Sequence, residues 1–216
     1  MQIIPMSYEI MQYPTNVLEN IEKAARTCYK SEGKIGPGSA EKIVAMLIKR
    51  RHHAMLEFGG WIHVKFTTNR GVTHEQVRHR LTSLAQESTR YCDYSSDDKF
   101  DQGVVYCDPT PMLEMKGYTT EQVNKAFEIK CRLWRLAEEA YQEQRTLGIS
   151  PECARDVLCI GTKSEINMGT NVREWRHILS QRTSPAAHPQ MRQIMVPLLE
   201  DFRMRTPIIW DDLSNG

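Results

Sequence analysis

Residues 77–91 read VRHRLTSLAQESTRY, and the way this stretch is folded governs how the rest of the chain is understood. Arg78, His79, Arg80, Ser83, Gln86, Ser88 and Arg90 crowd into thirteen positions, with Val77, Leu81 and Leu84 between them. The apolar spacing predicts a helix over 72–84 that buries one stripe and leaves a polar side for ligands or solvent. Successive side chains on a helix turn by about 100°, so Arg78 and Arg80 would point about 200° apart and could not grip one phosphate together. Two anionic groups, or one on each side of an interface, are the expectation.

Upstream, residues 61–68 alternate, with Ile62, Val64 and Phe66 on one side and Trp61, His63 and Lys65 on the other, as a half-buried strand does. It ends at Asn69-Arg70-Gly71. Residues 16–31 and 39–52 carry helical apolar spacing behind Asn16 and Ser39 as caps, with a Gly/Pro loop between them. Downstream, 92–118 is polar and irregular and reads as a mobile surface excursion. Thr119 and Gln122 then form a capping-box pattern. Val123, Phe127, Cys131, Trp134 and Tyr141 line one face of the longest helix until Gly148 stops it. Ser150-Pro151 starts a short helix, 162–169 reads as a strand, and helices are expected at 171–181 and 188–204. The order is mixed α+β, with no repeat or linker to divide the 216 residues.

Lys+Arg number 28 against 27 Asp+Glu, so no global basic field draws nucleic acid, and any anion site must be local. From Cys131 onward there are ten arginines and one lysine, Lys163, which favours planar, bidentate grip on phosphates and carboxylates. Neither GxGxxG nor GxxxxGK[ST] occurs, so side chains are the expected anion donors. Six cysteines without a CxxC pair read as reduced, half-buried side chains. His63, His74 and His79 match no metal-ligand spacing, and no metal is expected. The N-terminus lacks a basic stretch followed by an apolar run, and no segment approaches about 18 apolar residues, which points to a cytoplasmic chain with no membrane partner.

RHR, then seven residues, then Ser88 with Arg90 two further on, resembles the signature of flavin-dependent thymidylate synthases. The resemblance runs through AARTCY (24–29), HHAMLEF (52–58), NRGVTHEQVRHR (69–80), RDVL (155–158), NVREWRHILSQR (171–182) and AHPQMR (187–192). It implies one catalytic domain over 1–216, with the thymidylate synthase complementing protein fold: a central antiparallel sheet and flanking helices. It also implies reductive methylation of dUMP to dTMP with FAD, NADPH and methylenetetrahydrofolate, in a homotetramer with shared active sites. By the same resemblance, FAD meets His52, Ala54, Arg78, His79, Arg80, Gln86, Asn171, Val172, Arg173 and His177. The dUMP site takes Glu75, Gln76, Val77, Arg78, Gln86, Glu87, Ser88, Thr89, Arg90, Arg155 and Arg182. Arg182 is the implied catalytic residue, a permanent cation beside the uracil that favours loss of its N3 proton. The phosphate needs clustered donors, which Ser88, Arg90 and Arg155 supply without Ser88 acting as a nucleophile.

No thiol is required in such a mechanism, and none of the six cysteines follows a proline, as the nucleophile of conventional thymidylate synthases does. The chain departs from the resemblance at Phe58 and Cys159, where many members carry His and Pro. Ala54 offers no hydroxyl, so a flavin contact there would be through backbone. A competing reading is an RNA- or DNA-binding module that uses the basic segments 49–53 and 78–90. Aromatic side chains are not interleaved with the basic run, as base-stacking platforms would be.

Overall fold

The computed structural model describes residues 1–95 and 103–213. In chain order the elements are β1 (Gln2–Ile4), β2 (Ser7–Gln12), α1 (Val17–Tyr29), α2 (Ser39–Lys49), a 3-10 turn at His53–Gly59, β3 (Trp61–Asn69), α3 (Arg70–Gln76) and β4 (Ser83–Gln86). They continue with β5 (Val105–Cys107), α4 (Thr110–Met115), α5 (Thr120–Thr146), α6 (Pro151–Ala154), β6 (Lys163–Asn171), α7 (Val172–Arg182), α8 (Pro189–Arg205) and α9 (Pro207–Trp210). The fold is α+β, with antiparallel strands in the order β2-β3-β6-β4 and helices around them. Register follows from bonds along β3 and β6. His63 meets Asn167 at 3.0 Å, and farther along the Arg70 amide donates to the Thr162 carbonyl at 3.1 Å, so one number rises as the other falls.

Contacts gather into two compact units, and the chain passes from one to the other five times: within β2, β3, β4 and β6, and between Arg78 and His79. The first comprises Met1–Ser7, Phe66–Arg78 and Ala85–Ile166. Its core is built on α5, where Tyr94, Val104, Tyr106, Cys131, Trp134 and Tyr141 cluster and the Tyr106 ring stacks on Trp134 at 4.5 Å. The capping box at Thr119 and Gln122 forms as the sequence predicts, and Phe127 packs at the margin of the core. The second unit comprises Tyr8–Lys65, His79–Leu84 and Asn167–Gly216. There Trp175, Phe202 and Trp210 form an aromatic chain, and the Trp175 indole donates to the Ile62 carbonyl at 3.0 Å.

The strand at 61–68 is as expected: Ile62, Val64 and Phe66 are fully buried. The helix over 72–84 is not. It starts earlier, at Arg70, because Asn69 caps it through the Val72 amide at 2.9 Å, and it ends at Gln76. Leu81 and Val77 are exposed, so the stripe that suggested a longer helix buries little. Residues 83–86 instead add a strand beside β6, where backbone pairing outweighs a weak local pattern. Arg78 and Arg80 therefore lie in a turn, and no helix splays them apart.

Asn16 makes no side-chain capping bond, since it exchanges hydrogen bonds with Asn20, and Ser39 sits inside α2 behind Gly38. Within the segment expected to be irregular, β5 and α4 are ordered elements, while 96–102 lies outside the described residues. The N-terminal strands had no alternating signal strong enough to be foreseen.

Candidate active site

The second unit gathers one set of the expected residues. His79, only 5% exposed, accepts a hydrogen bond at Nε2 from Arg182 Nε at 2.9 Å, and the His177 ring stands edge-on at 6.3 Å. Burial lowers the His79 pKa to about 4, with Arg182 and His177 adding to the effect, so the ring is neutral near pH 7 and its proton sits on Nδ1. This neutral ring orients the guanidinium without cancelling its charge. The segment is pinned beside it, where Thr170 Oγ1 donates to the Leu81 carbonyl at 2.6 Å.

Local sequence places α7 as well. Asn171 is extended at the end of β6, and its side chain accepts from the Glu174 amide at 2.9 Å, repeating the device that Asn69 uses in the first unit. The start of α7 opens on a cavity of about 550 Å³ lined by His53, Leu81, Asn171, Arg173, Glu174 and His177, among others. Arg176 lines it too and is 5% exposed. It grips Asp212 with two bonds of 2.7 Å and bonds the Ile209 carbonyl, yet its Nε has no partner among the described residues. His53 Nε2 is likewise buried and unpartnered, and burial followed by the field of Arg176 lowers its pKa. Polar atoms left unmatched beside a wide cavity fit a group rich in hydrogen-bonding oxygens and nitrogens, as a flavin nucleotide is.

Val172 is fully buried, so any ligand contact there is through its backbone. Arg173 is exposed and paired with Glu57 at 2.6 Å, and His52 and Ala54 are exposed at the 3-10 turn. His79, Glu174 and His177 bring ligand atoms within 4.8 Å of one another, the kind of group that can hold a metal. The Arg182 guanidinium against His79 sets a permanent positive charge at its edge, which opposes a cation there.

The first unit holds the other set. Gln86 donates to Thr73 Oγ1 at 2.9 Å and Ser164 Oγ at 3.0 Å, which fixes the end of β4. Glu87 is tied down by the Tyr94 hydroxyl at 2.7 Å, Lys163 at 3.0 Å and the Glu165 amide at 3.1 Å. Burial works to lower the Lys163 pKa, but the charges of Glu87 and Glu165 prevail and raise it. With Glu87 anchored, the turn 88–90 leaves Arg90 exposed, Ser88 half-buried and Thr89 buried. Arg155 donates to Thr89 Oγ1 at 3.2 Å, while Arg90 makes an exposed pair with Glu152 at 3.3 Å and stands over the Tyr91 ring at 5.4 Å. Such a pair is worth about 1 kcal/mol or less, so an arriving phosphate can displace it. Arg78 is exposed, whereas Gln76 is fully buried with both amide atoms unpartnered among the described residues.

A model of the family described as thymidylate synthase complementing protein matches residues 9–208. This chain belongs to that family. A flavin-dependent thymidylate synthase of Mycolicibacterium vanbaalenii is 29% identical over 199 residues, covering 90% of this chain and 78% of its own length. That of Corynebacterium diphtheriae is 28% identical over 201 residues, covering 91% and 79%. In fold, the chain is similar to a UMP/dUMP methylase, PolB, from Streptomyces cacaoi bound with 5-Br dUMP, with a TM-score of 0.80 at 21% identity over 98% of this chain and 96% of that one.

The residues that support these candidate segments carry no signal of that role in the sequence. Lys163 stood out as the single lysine after Cys131 without its role being visible, and Tyr94, Ser164 and Asp212 gave no signal. Their partners are far away in the chain, and only folding joins them. The basic run 49–53 does not form a continuous face either. Arg51 takes a left-handed conformation (φ 57°) and lines one cavity with Asp211 and Asp212, while Arg50 lines another. No helix among the described residues is long and apolar enough to cross a membrane.

Proposed function

We propose that this protein is a flavin-dependent thymidylate synthase that converts dUMP to dTMP, with NADPH as reductant and methylenetetrahydrofolate as one-carbon donor. The observation that carries the reading is the buried, neutral His79 holding Arg182, in a chain of this family whose Ser88–Arg90 turn is braced from behind. Bound FAD would supply the hydride to the pyrimidine and relay the one-carbon unit. His53, Asn171, Arg173, Arg176 and His177 would hold it. In this reading, Ser88, Thr89, Arg90 and Arg155 bind the dUMP phosphate, and the Glu152 carboxylate gives up Arg90 as the phosphate arrives. Arg182 lies against the uracil and stabilises negative charge at N3 and its flanking carbonyls, with its plane set by His79 Nε2.

Thiol chemistry is not needed. Burial raises the pKa of Cys107 to about 12 and also raises those of Cys92 and Cys159, which keeps them as thiols. We further propose that residues 1–216 act as one catalytic domain, in the cytoplasm, within a homotetramer. An exposed apolar stripe on α5, Ile129, Leu133 and Leu136 at helical spacing, supports self-association.

The test is dTMP formation from dUMP by the yellow, flavin-loaded protein with NADPH and methylenetetrahydrofolate, with UMP run in parallel. No dTMP above the enzyme-free blank, from protein that retains its flavin, would sink the reading.

A further inference from the structure

The residues assigned above to dUMP and FAD leave a cationic cavity of the second unit unused. It has a volume of about 450 Å³ and lies where α1, the following loop and α2 meet. Four cations line it: Arg26, Lys34, Lys42 and Arg50, with apolar surface from buried Ile43 and half-buried Met46. Arg26 is committed to buried Glu22 through bonds of 3.1 and 2.9 Å. Lys34, Lys42 and Arg50 make no ion pair among the described residues, and no Asp or Glu among them lines the cavity. Tyr29 adds an aromatic ring that is 59% exposed.

In a chain whose charges otherwise balance, three unpaired cations around one concavity create a local positive field with a defined shape. The location matters too. On α1, Cys28 lies against Met55 of the His53–Gly59 turn, with 3.9 Å between the sulfurs, so this helix borders the loop assigned to flavin.

We infer that the cavity binds the anionic tail of a co-substrate, an oligoanion carrying at least two negative charges close to an apolar or aromatic portion. The inference rests on the proposed function, which requires two such co-substrates and assigns residues to neither. A γ-linked oligoglutamate on the folate and the 2′-phosphate of NADPH share the chemistry, because both are clustered anions that clustered ammonium and guanidinium groups bind by charge-assisted hydrogen bonds. The apolar side accepts the carbon skeleton between the charges.

The experiment uses the full-length, flavin-loaded protein and the double variant Lys34→Gln/Lys42→Gln, with unchanged thermal midpoint as the check on folding. Calorimetry with inorganic tripolyphosphate should show binding that weakens as salt rises and falls about tenfold or more in the double variant. Steady-state kinetics then separates the sources. A raised KM for pentaglutamyl but not monoglutamyl methylenetetrahydrofolate, with kcat unchanged, assigns the folate tail. A raised KM for NADPH but not NADH assigns the phosphate. Equal tripolyphosphate affinity in both proteins overturns the cavity assignment. Loss of that affinity with every KM unmoved overturns the co-substrate role and leaves an adventitious ion only. A wild type that makes no dTMP would fail the proposed function, while the calorimetric comparison would still judge the cavity.

Discussion

At the scale of single residues, the centre of the site is a hydrogen bond whose direction is set by burial. His79 can accept from Arg182 only while Nε2 is unprotonated, and its low pKa keeps it so. Lysine at 182 would keep the charge but lose the planar fork and the Nε donor that fix its direction. Arg182→Lys is therefore expected to retain flavin and to lose roughly 100- to 1,000-fold in the rate of dTMP formation at saturating dUMP. A rate near that of the wild type would move the activating role to another residue.

At the scale of elements, one device occurs twice. β3 ends at Asn69 and β6 at Asn171, each extended, each capping the following helix through a 2.9 Å bond to the amide three residues on. The strand thus hands its chain to a helix with the first orphan donors satisfied, which holds Arg173 and His177 at the mouth of the cavity. Asn171→Ala should cost about 1 kcal/mol in urea unfolding, whereas Asn171→Asp, which can still cap, should cost much less. Equal losses in the two variants would show that the cap is not what the asparagine contributes.

At the scale of the whole molecule, two consequences follow. The first is acid sensitivity. His79 has a folded pKa of about 4 against 6.5 for a free histidine, so between those values the unfolded chain binds the proton more readily. Stability from this group is complete above about pH 6.5 and is lost as pH falls toward 4, by up to about 3 kcal/mol. Chemical denaturation at steps across that window should show the decline, and His79→Asn should flatten it. An unchanged slope in the variant would place the sensitivity in other groups.

The second consequence concerns assembly. If Arg90 and Arg182 reach one dUMP from different subunits, then Arg90→Ala and Arg182→Ala are each nearly inactive. A re-assembled equal mixture should regain roughly a quarter of sites with both arginines intact. A mixture shown by mass to exchange subunits and still inactive would place both arginines in one chain.

The sequence by itself determined the elements whose signals are local and strong. The alternation through Ile62, Val64 and Phe66, the capping box at Thr119 and the proline start of α6 need no distant partner to be read. It also determined the family, because RHR with Ser88 and Arg90 is a dense pattern of side chains. Tertiary structure decided the rest. Whether 83–86 continued a helix or joined a sheet depended on the neighbouring strand β6, which follows some eighty positions later. Arg182 and His79 are 103 residues apart, and Lys163 and Glu87 are 76. A hydrogen bond between such partners leaves no periodicity in the chain, since its energy is realised only after the backbone has closed the loop between them.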